Sequence, residues 1–305
     1  MQALGGGMDR IGVIGLGRMG RAIAARLAAS GRPVVGWTRS GRSVPGLAIA
    51  PDLAHLVAQA DVLVLSLFDD AAVAEMLAAL TGGPLDGRLI VETSTITPAT
   101  LTGFADPIAQ LGADLVDAPI SGGPDMVLAG TCGLFLGGAH AAVARAQAVL
   151  APLSGRIFHV GPLGSGLVMK SINNAMMQSY FAALAEQVAV ARQAGLPLDT
   201  VLSILAGGPA GAPVLKDRLA RMLGQDHSVG FPIAGVAKDN AVFRRIAADF
   251  GVETPTLLAA RAQIAAAMAA GWGDADVAAL IARAYGDAAR DAAAPGAGGA
   301  GDADG

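Results

Sequence analysis

Arg10-Ile11-Gly12-Val13-Ile14-Gly15-Leu16-Gly17-Arg18-Met19-Gly20 passes from an apolar strand through a glycine-rich turn into the start of a helix. Gly15 permits the tight turn, Gly17 lets the backbone approach a pyrophosphate, and Gly20 lets helix and strand pack closely. The helix N-terminus then presents amides and a positive dipole end to phosphates. Glycine turns are common, and this one draws its force from its strand–turn–helix setting. The candidate dinucleotide contacts here are Gly15, Leu16, Gly17, Arg18, Met19 and Gly20.

The sequence just beyond this turn selects between the two nicotinamide cofactors. An NAD site carries an acidic residue about 20 positions on, at the end of the second strand, for the ribose hydroxyls. No acidic residue occurs from Arg10 to Pro51. The second strand ends instead in Trp37-Thr38-Arg39-Ser40, with Arg42 and Ser43 nearby. Arg39 suits a 2′-phosphate and an adenine face, and Thr38 and Ser40 add hydroxyls. NADP is therefore expected, with NADPH preferred over NADH; the plainer alternative is a solvated surface arginine.

Around this stretch, short apolar runs alternate with Ala-rich helical stretches. Strands are expected at Ile11–Ile14, Val34–Trp37, Val62–Leu67, Leu89–Glu92, Leu115–Asp117, Leu134–Leu136 and Ile157–Val160. Helices fit Met19–Ala29, Pro51–Ala60, Ala71–Leu80, Pro98–Leu111 and Ala139–Leu150. Continuous apolar strands between helices predict a mostly parallel sheet covered on both faces, a Rossmann-type doubly wound α/β domain over residues 8–162. Strand signals then vanish. A periodic segment from Gly166 to Ala194 stops at Gly195 and Pro197, and four further helices fit Thr200–Leu205, Pro213–Leu223, Val236–Phe250 and Thr254–Ala270. A last one is expected from about Ala275 to Ala289. Residues 163–290 thus read as an all-α domain joined through one long interdomain helix. Residues 291–305, rich in Ala, Gly and Asp, read as a disordered tail, and residues 1–7 as a start-site artefact or loose leader.

Composition narrows the function classes. Hydrophobic residues make up 53% and charged residues 15%, and the net charge is −4 without a basic run, which argues against nucleic acid. The longest charge-free stretch, Met126 to Ala144, is broken by glycines and a histidine, and the start lacks a signal-peptide pattern, so no membrane span is expected. A single cysteine, Cys132, in an apolar run reads as a buried small hydrophobe in a reducing, cytoplasmic setting. The four histidines show no metal-ligand spacing, so no metal is expected.

Three further segments carry chemistry. Asp117-Ala118-Pro119-Ile120-Ser121-Gly122-Gly123 follows a strand at the carboxyl edge of the sheet, where α/β sites form. Gly164-Ser165-Gly166-Leu167-Val168-Met169-Lys170-Ser171-Ile172-Asn173-Asn174 opens the long helix, and Phe231-Pro232 precedes Lys238-Asp239. Lys170 and Asn174, four apart, share a helical face; spacing alone is equally compatible with a polar flank.

Together these segments resemble the β-hydroxyacid dehydrogenase family, from about Met8 to Tyr285 and with four motifs in the family's order: Gly15 to Gly20, Asp117 to Gly123, Gly164 to Asn174, and Lys238-Asp239. The resemblance implies a catalytic Lys170, a substrate site of Ser121, Gly122, Gly123 and Asn174, and cofactor contacts from Leu67, Phe68, Thr95 and Lys238. It also implies a small carboxylate-bearing substrate, a hydroxy acid and its semialdehyde or keto form, and a homodimer or homotetramer. Leu67-Phe68 stands where many members have Leu-Pro, so contacts there would fall to backbone groups. Gly207-Gly208-Pro209-Ala210-Gly211 lacks bulky side chains, which suggests a widened pocket. Imine reduction, a 6-phosphogluconate dehydrogenase and a non-catalytic NADP-binding sensor are the competing readings. Lys170 opposes the first, the absence of a basic cluster the second, and the combination of Ser121, Lys170 and Asn174 the third.

Overall fold

The structure, a computed structural model, describes residues 8–286. The expected leader, the last residues of the final expected helix and the expected tail lie outside them.

In the first half the chain alternates as read apart from an additional short strand, β3: β1 (Ile11–Ile14), α1 (Arg18–Ala29), β2 (Val34–Trp37), β3 (Ala48–Ile49), α2 (Leu53–Gln59), β4 (Val62–Leu65), α3 (Asp70–Thr81) and β5 (Leu89–Glu92). Then come α4 (Pro98–Thr102), α5 (Ala105–Gln110), β6 (Asp114–Asp117), β7 (Ile120–Ser121), α6 (Pro124–Ala129), β8 (Gly133–Gly137), α7 (His140–Leu150) and β9 (Arg156–Gly161). The strands form one sheet in the order β3-β2-β1-β4-β5-β6-β8-β7, with β9 on β8. From β3 to β6 every pairing is parallel; β8 runs antiparallel to β6 and β7, and β9 parallel to β8.

The central strands β1, β4 and β5 are buried on both faces, and their side chains alternate between two cores. Val62 and Val64 join the layer containing Ile23 and Leu27 of α1 and Val143 and Val149 of α7. Leu63 and Leu65 join the layer containing Leu56 of α2 and Val73, Leu77 and Leu80 of α3. Each such fully buried aliphatic side chain contributes roughly 1.5–3 kcal/mol relative to exposure.

Several details depart from the expected elements. The helix expected over Pro98–Leu111 is two helices, broken at Gly103-Phe104. Pro107 has no N–H to donate back to Gly103 and is tolerated only in a first turn, so a new helix starts just before it. Strands β3 and β7 have two residues each, too few to show any periodicity. Helix α6 buries only Val127 and leaves Met126 and Leu128 exposed, so it has no apolar stripe to read.

The second half is helical: α8 (Ser165–Gln193), α9 (Leu198–Gly207), α10 (Pro213–Met222), α11 (Ile233–Asp249), α12 (Pro255–Ala269) and α13 (Ala279–Tyr285). Two compact units meet at Asn173–Asn174, within α8. The second has its own core, with Phe181, Val188, Leu202, Leu215, Ile233, Ile264 and Ile281 among its members. Helix α13 starts later than expected because Asp276 is engaged elsewhere. Its carboxylate accepts N–H bonds from Gly230, Phe231 and Ala278 and pairs with Arg218 at 2.5 Å. Burial alone would raise that carboxyl, but the Arg218 guanidinium and the amides outweigh it and hold it below the usual range. No helix among the described residues is long and apolar enough to cross a membrane.

Cys132 is fully buried, with its thiol directed to the Leu153 carbonyl at 3.2 Å. Burial pushes the thiol up to about 11, against a weaker pull from the charge of Lys170. Native protein is therefore expected to alkylate on the order of a hundredfold more slowly than an unfolded thiol at neutral pH. Mass spectrometry after iodoacetamide treatment, with and without denaturant, checks this; equal rates would contradict it.

Candidate active site

The carboxyl ends of β1 and β2 build the first half of the site. Gly15 has φ +91°, and a Cβ there would strike the carbonyl oxygen of Ser66; a Cβ at Gly20 would strike the carbonyl of Gly15. Both glycines are thus required by the turn itself. Gly17 is different. Its φ of −67° suits any residue, and a Cβ there would meet no protein atom within 4 Å. Nothing in the protein itself requires a glycine there, and the open space leaves the backbone accessible to a ligand. Gly17 is also the N-cap of α1, which has no side-chain cap and no acidic residue in its first turn. The turn is pinned by Gly15 N–H to the Trp37 carbonyl at 3.0 Å and Ser66 N–H to the Ile14 carbonyl at 2.9 Å.

The other expected cofactor residues are placed as follows. Leu16 and Met19 pack their side chains onto the core, leaving only their backbone for a ligand, whereas Arg18 is exposed. Thr38 is half-buried, and Arg39 and Ser40 are exposed just past β2. Arg39 pairs with Glu75 of α3 at 2.8 Å. The Leu67 amide donates to Ser94 Oγ at 2.8 Å, so it is engaged within the protein, while Phe68 is exposed and Thr95 half-buried. An uncapped helix start, a bare glycine path and hydroxyls beside a guanidinium fit a dinucleotide carrying phosphates.

The chemical half lies at the ends of β6 and β7. Asp117, the last residue of β6, is fully buried and turns its carboxylate onto the start of α8. One oxygen accepts Gly164 N–H at 2.7 Å and the other Leu167 N–H at 2.8 Å. A Cβ at Gly166 would collide with the Phe135 carbonyl and with Asp117, so the glycines of this motif let the helix start close over the strand end. Burial pushes the Asp117 carboxyl up, and the α8 amides oppose that. One and a half turns along, Lys170 is 7% exposed and its ammonium donates to the Ile120 carbonyl. Asn173 Nδ2 donates to Ser121 Oγ at 3.1 Å. The structure therefore brings Lys170 and Ser121 to the same two-residue strand, with Gly122 (φ +138°) and Gly123 continuing from it.

Sequence reading missed three contacts here, including the one made by Asp117, which it named only as part of a motif. Asn173 orients Ser121, whereas only Asn174 was singled out. Asp117 anchors α8. Glu92 is a fully buried carboxylate in register with Asp117, and it accepts Ser94 N–H at 2.7 Å, which in turn sets the hydroxyl that holds Leu67. Asn173, Asp117 and the Ser94 hydroxyl each meet partners 27 or more residues away, so no local spacing advertises those contacts.

In the helical unit, Asn174 is 8% exposed and lines a cavity of about 540 Å³ including its mouth, with Phe231, Arg218 and Gln263 among the other walls. Gln263 Oε1 is buried without a hydrogen-bond partner. Lys238, on α11, pairs with Asp239 at 2.8 Å. The Gly207–Gly211 segment does not line this cavity; a Cβ at Gly211 would press on the Leu205 and Ala206 carbonyls, so that glycine serves the turn between α9 and α10. Among the described residues, no three His, Cys, Asp or Glu side chains are grouped to hold a metal ion.

Two family profiles match in tandem: one described as the NAD binding domain of 6-phosphogluconate dehydrogenase over residues 10–161, the other as the NAD-binding region of NADP-dependent 3-hydroxyisobutyrate dehydrogenase over residues 164–284. The 2-hydroxy-3-oxopropionate reductase of Escherichia coli is 32% identical over 75% of this chain and 81% of its own length. The 2-(hydroxymethyl)glutarate dehydrogenase of Eubacterium barkeri is 28% identical over 89% and 93%. Among solved structures, 3-hydroxyisobutyrate dehydrogenase of Mycobacterium tuberculosis with L-serine superposes with a TM-score of 0.81 at 26% identity, covering 90% of this chain and 98% of that one.

Proposed function

We propose that this chain, which belongs to the β-hydroxyacid dehydrogenase family, interconverts a small β-hydroxy acid and its semialdehyde or keto form, with Lys170 handling the proton and NADP(H) the preferred carrier. The observation that carries the reading is a buried ammonium, Lys170, set by α8 against the strand that bears Ser121. The relatives named for hydroxy-acid and oxo-acid chemistry, and the one described with L-serine, itself a β-hydroxy acid, agree with it.

When bound, the nicotinamide supplies or accepts a hydride at the substrate carbon. The chain's own residues do the rest. In the reducing direction, Lys170 Nζ stabilises the developing alkoxide and gives it a proton; in the oxidising direction, the neutral amine takes the hydroxyl proton. Ser121 Oγ and the amides at Gly122 and Gly123 grip a substrate carboxylate, and Asn173 holds that hydroxyl in place. Asn174, one turn beyond Lys170, orients the substrate, and its position on a cavity wall supports that role. Lys238 serves the cofactor by family resemblance. Residues 8–162 accordingly hold the cofactor and residues 163–290 contribute substrate contacts and assembly, as a homodimer or homotetramer in the reducing cytoplasm.

NADPH consumption with a panel of semialdehydes, glyoxylate and cyclic imines tests the reaction class. Turnover confined to the carboxylate-bearing carbonyls is expected. Turnover on cyclic imines alone, or binding without turnover on the whole panel, would overturn it. For the cofactor, Arg39→Ala is expected to weaken NADPH binding roughly 10- to 100-fold, the worth of a charge-assisted bond to phosphate of about 1.5–3 kcal/mol. NADH binding should barely change; an equal loss for both would remove Arg39 from the 2′-phosphate site.

A further inference from the structure

The residues from Arg10 to Pro51 include no carboxylate, yet one reaches the end of β2 from elsewhere. Glu75 lies in the second turn of α3, and its Oε2 sits 2.8 Å from the Arg39 guanidinium. The topology makes this placement informative. Strands β2 and β4 flank β1 in parallel, so their carboxyl ends share one edge of the sheet. Arg39 follows β2, and α3 follows β4. Their ion pair therefore spans the carboxyl end of β1, where Gly15 to Gly20 turns into α1. That is the side of the sheet on which a doubly wound fold receives the adenosine half of a dinucleotide. A carboxylate at this position accepts the two ribose hydroxyls of NAD, whereas a guanidinium takes the 2′-phosphate of NADP. This chain places both there. The two side chains are 70% and 63% exposed, so the pair is well solvated and weak enough for a ligand to part.

The geometry points to Glu75 as a second cofactor-selectivity residue: its carboxylate competes with the NADP 2′-phosphate for Arg39 and accepts the 2′- and 3′-hydroxyls of NAD. The site then takes both cofactors, with a preference for NADP that Glu75 holds in check. This rests on the assignment of Arg39 to the 2′-phosphate. It is distinct from that assignment because the acidic partner comes from α3 and not from the β2 end.

The test is calorimetric titration of the full chain with NADP⁺ and with NAD⁺, separately and without substrate, so that no turnover enters the readout. Glu75→Gln keeps the side-chain size at an exposed position, and an unchanged melting temperature confirms folding. The ratio of the NAD⁺ to the NADP⁺ dissociation constant is expected to rise at least about tenfold, through tighter NADP⁺ and weaker NAD⁺ binding, as removal of one competing charge predicts. A ratio within about twofold of the parent overturns the proposal. Arg39→Ala separates the two layers. If it selectively loses NADP⁺ while Glu75→Gln keeps the parent ratio, Glu75 alone is dismissed. If Arg39→Ala leaves both affinities unchanged, the 2′-phosphate assignment falls, and the Glu75 proposal with it.

Discussion

Lys170→Ala is expected to lower kcat for carbonyl reduction by two to three orders of magnitude or more while leaving NADP⁺ affinity close to that of the parent. A positioned proton donor contributes roughly 10²–10⁴-fold, and the ammonium adds stabilisation of the alkoxide in a site with little water. Lys170 is 7% exposed and held by the Ile120 carbonyl, so solvent has poor access to replace it. The proposed dinucleotide contacts at Gly15 to Gly20 and Arg39 are not altered, which is why binding should persist. Steady-state kinetics together with calorimetric titration checks both halves. Turnover within about tenfold of the parent would dismiss Lys170 as the proton donor; loss of NADP⁺ binding would show that the substitution damages more than chemistry.

Asp117→Ala is expected to produce the largest loss of stability. Its two oxygens are the partners of the Gly164 and Leu167 amides at the start of α8, all of it buried. Leaving two buried donors unsatisfied costs about 1–3 kcal/mol each, or roughly 2–6 kcal/mol together. For a unit of this size that corresponds to a fall in melting temperature of roughly 5–20 °C. Because α8 carries Lys170 and Asn173, turnover should fall as well. Asp117→Asn retains one acceptor and should lie between the alanine variant and the parent. The pH dependence follows from the raised folded-state value of this carboxyl. Between the ordinary carboxylate value and that raised value, the folded chain binds the proton more tightly than the unfolded chain does. The stabilising contribution of the protonated form is thus complete below the ordinary value and is lost as pH rises through the folded one. Asp117→Asn removes that dependence. Differential scanning calorimetry across mildly acidic pH checks this, and an alanine variant melting within about 2 °C of the parent would refute the anchoring role.

The order and type of the main elements were legible because β1, β2, β4 and β5 are each a short apolar run and each covering helix an Ala-rich one. The same runs supplied the two cores, since alternate residues of a strand such as β4 point to opposite faces. Candidate residues could be named where they are consecutive in the chain: the turn from Gly15 to Gly20, the step from Thr38 to Ser40, and the segment from Gly164 to Asn174. Where β3, β7 and α6 were missed, the elements were too short or too exposed to carry a periodic signal.

By itself, the amino-acid sequence determined the doubly wound domain, the helical half, the glycine-rich strand–turn–helix and the family, because these depend on local periodicity and on residues adjacent in the chain. Only the tertiary structure decided which carboxylate anchors α8, which asparagine orients Ser121, and that Glu75 faces Arg39. Asp117 lies 47 residues before Gly164, and Asn173 lies 52 residues after Ser121. No spacing rule spans such distances. The mixed sheet and the helices that follow its strands close them, so hydrogen bonds and charge pairs of about 3 Å join residues that the chain itself keeps far apart.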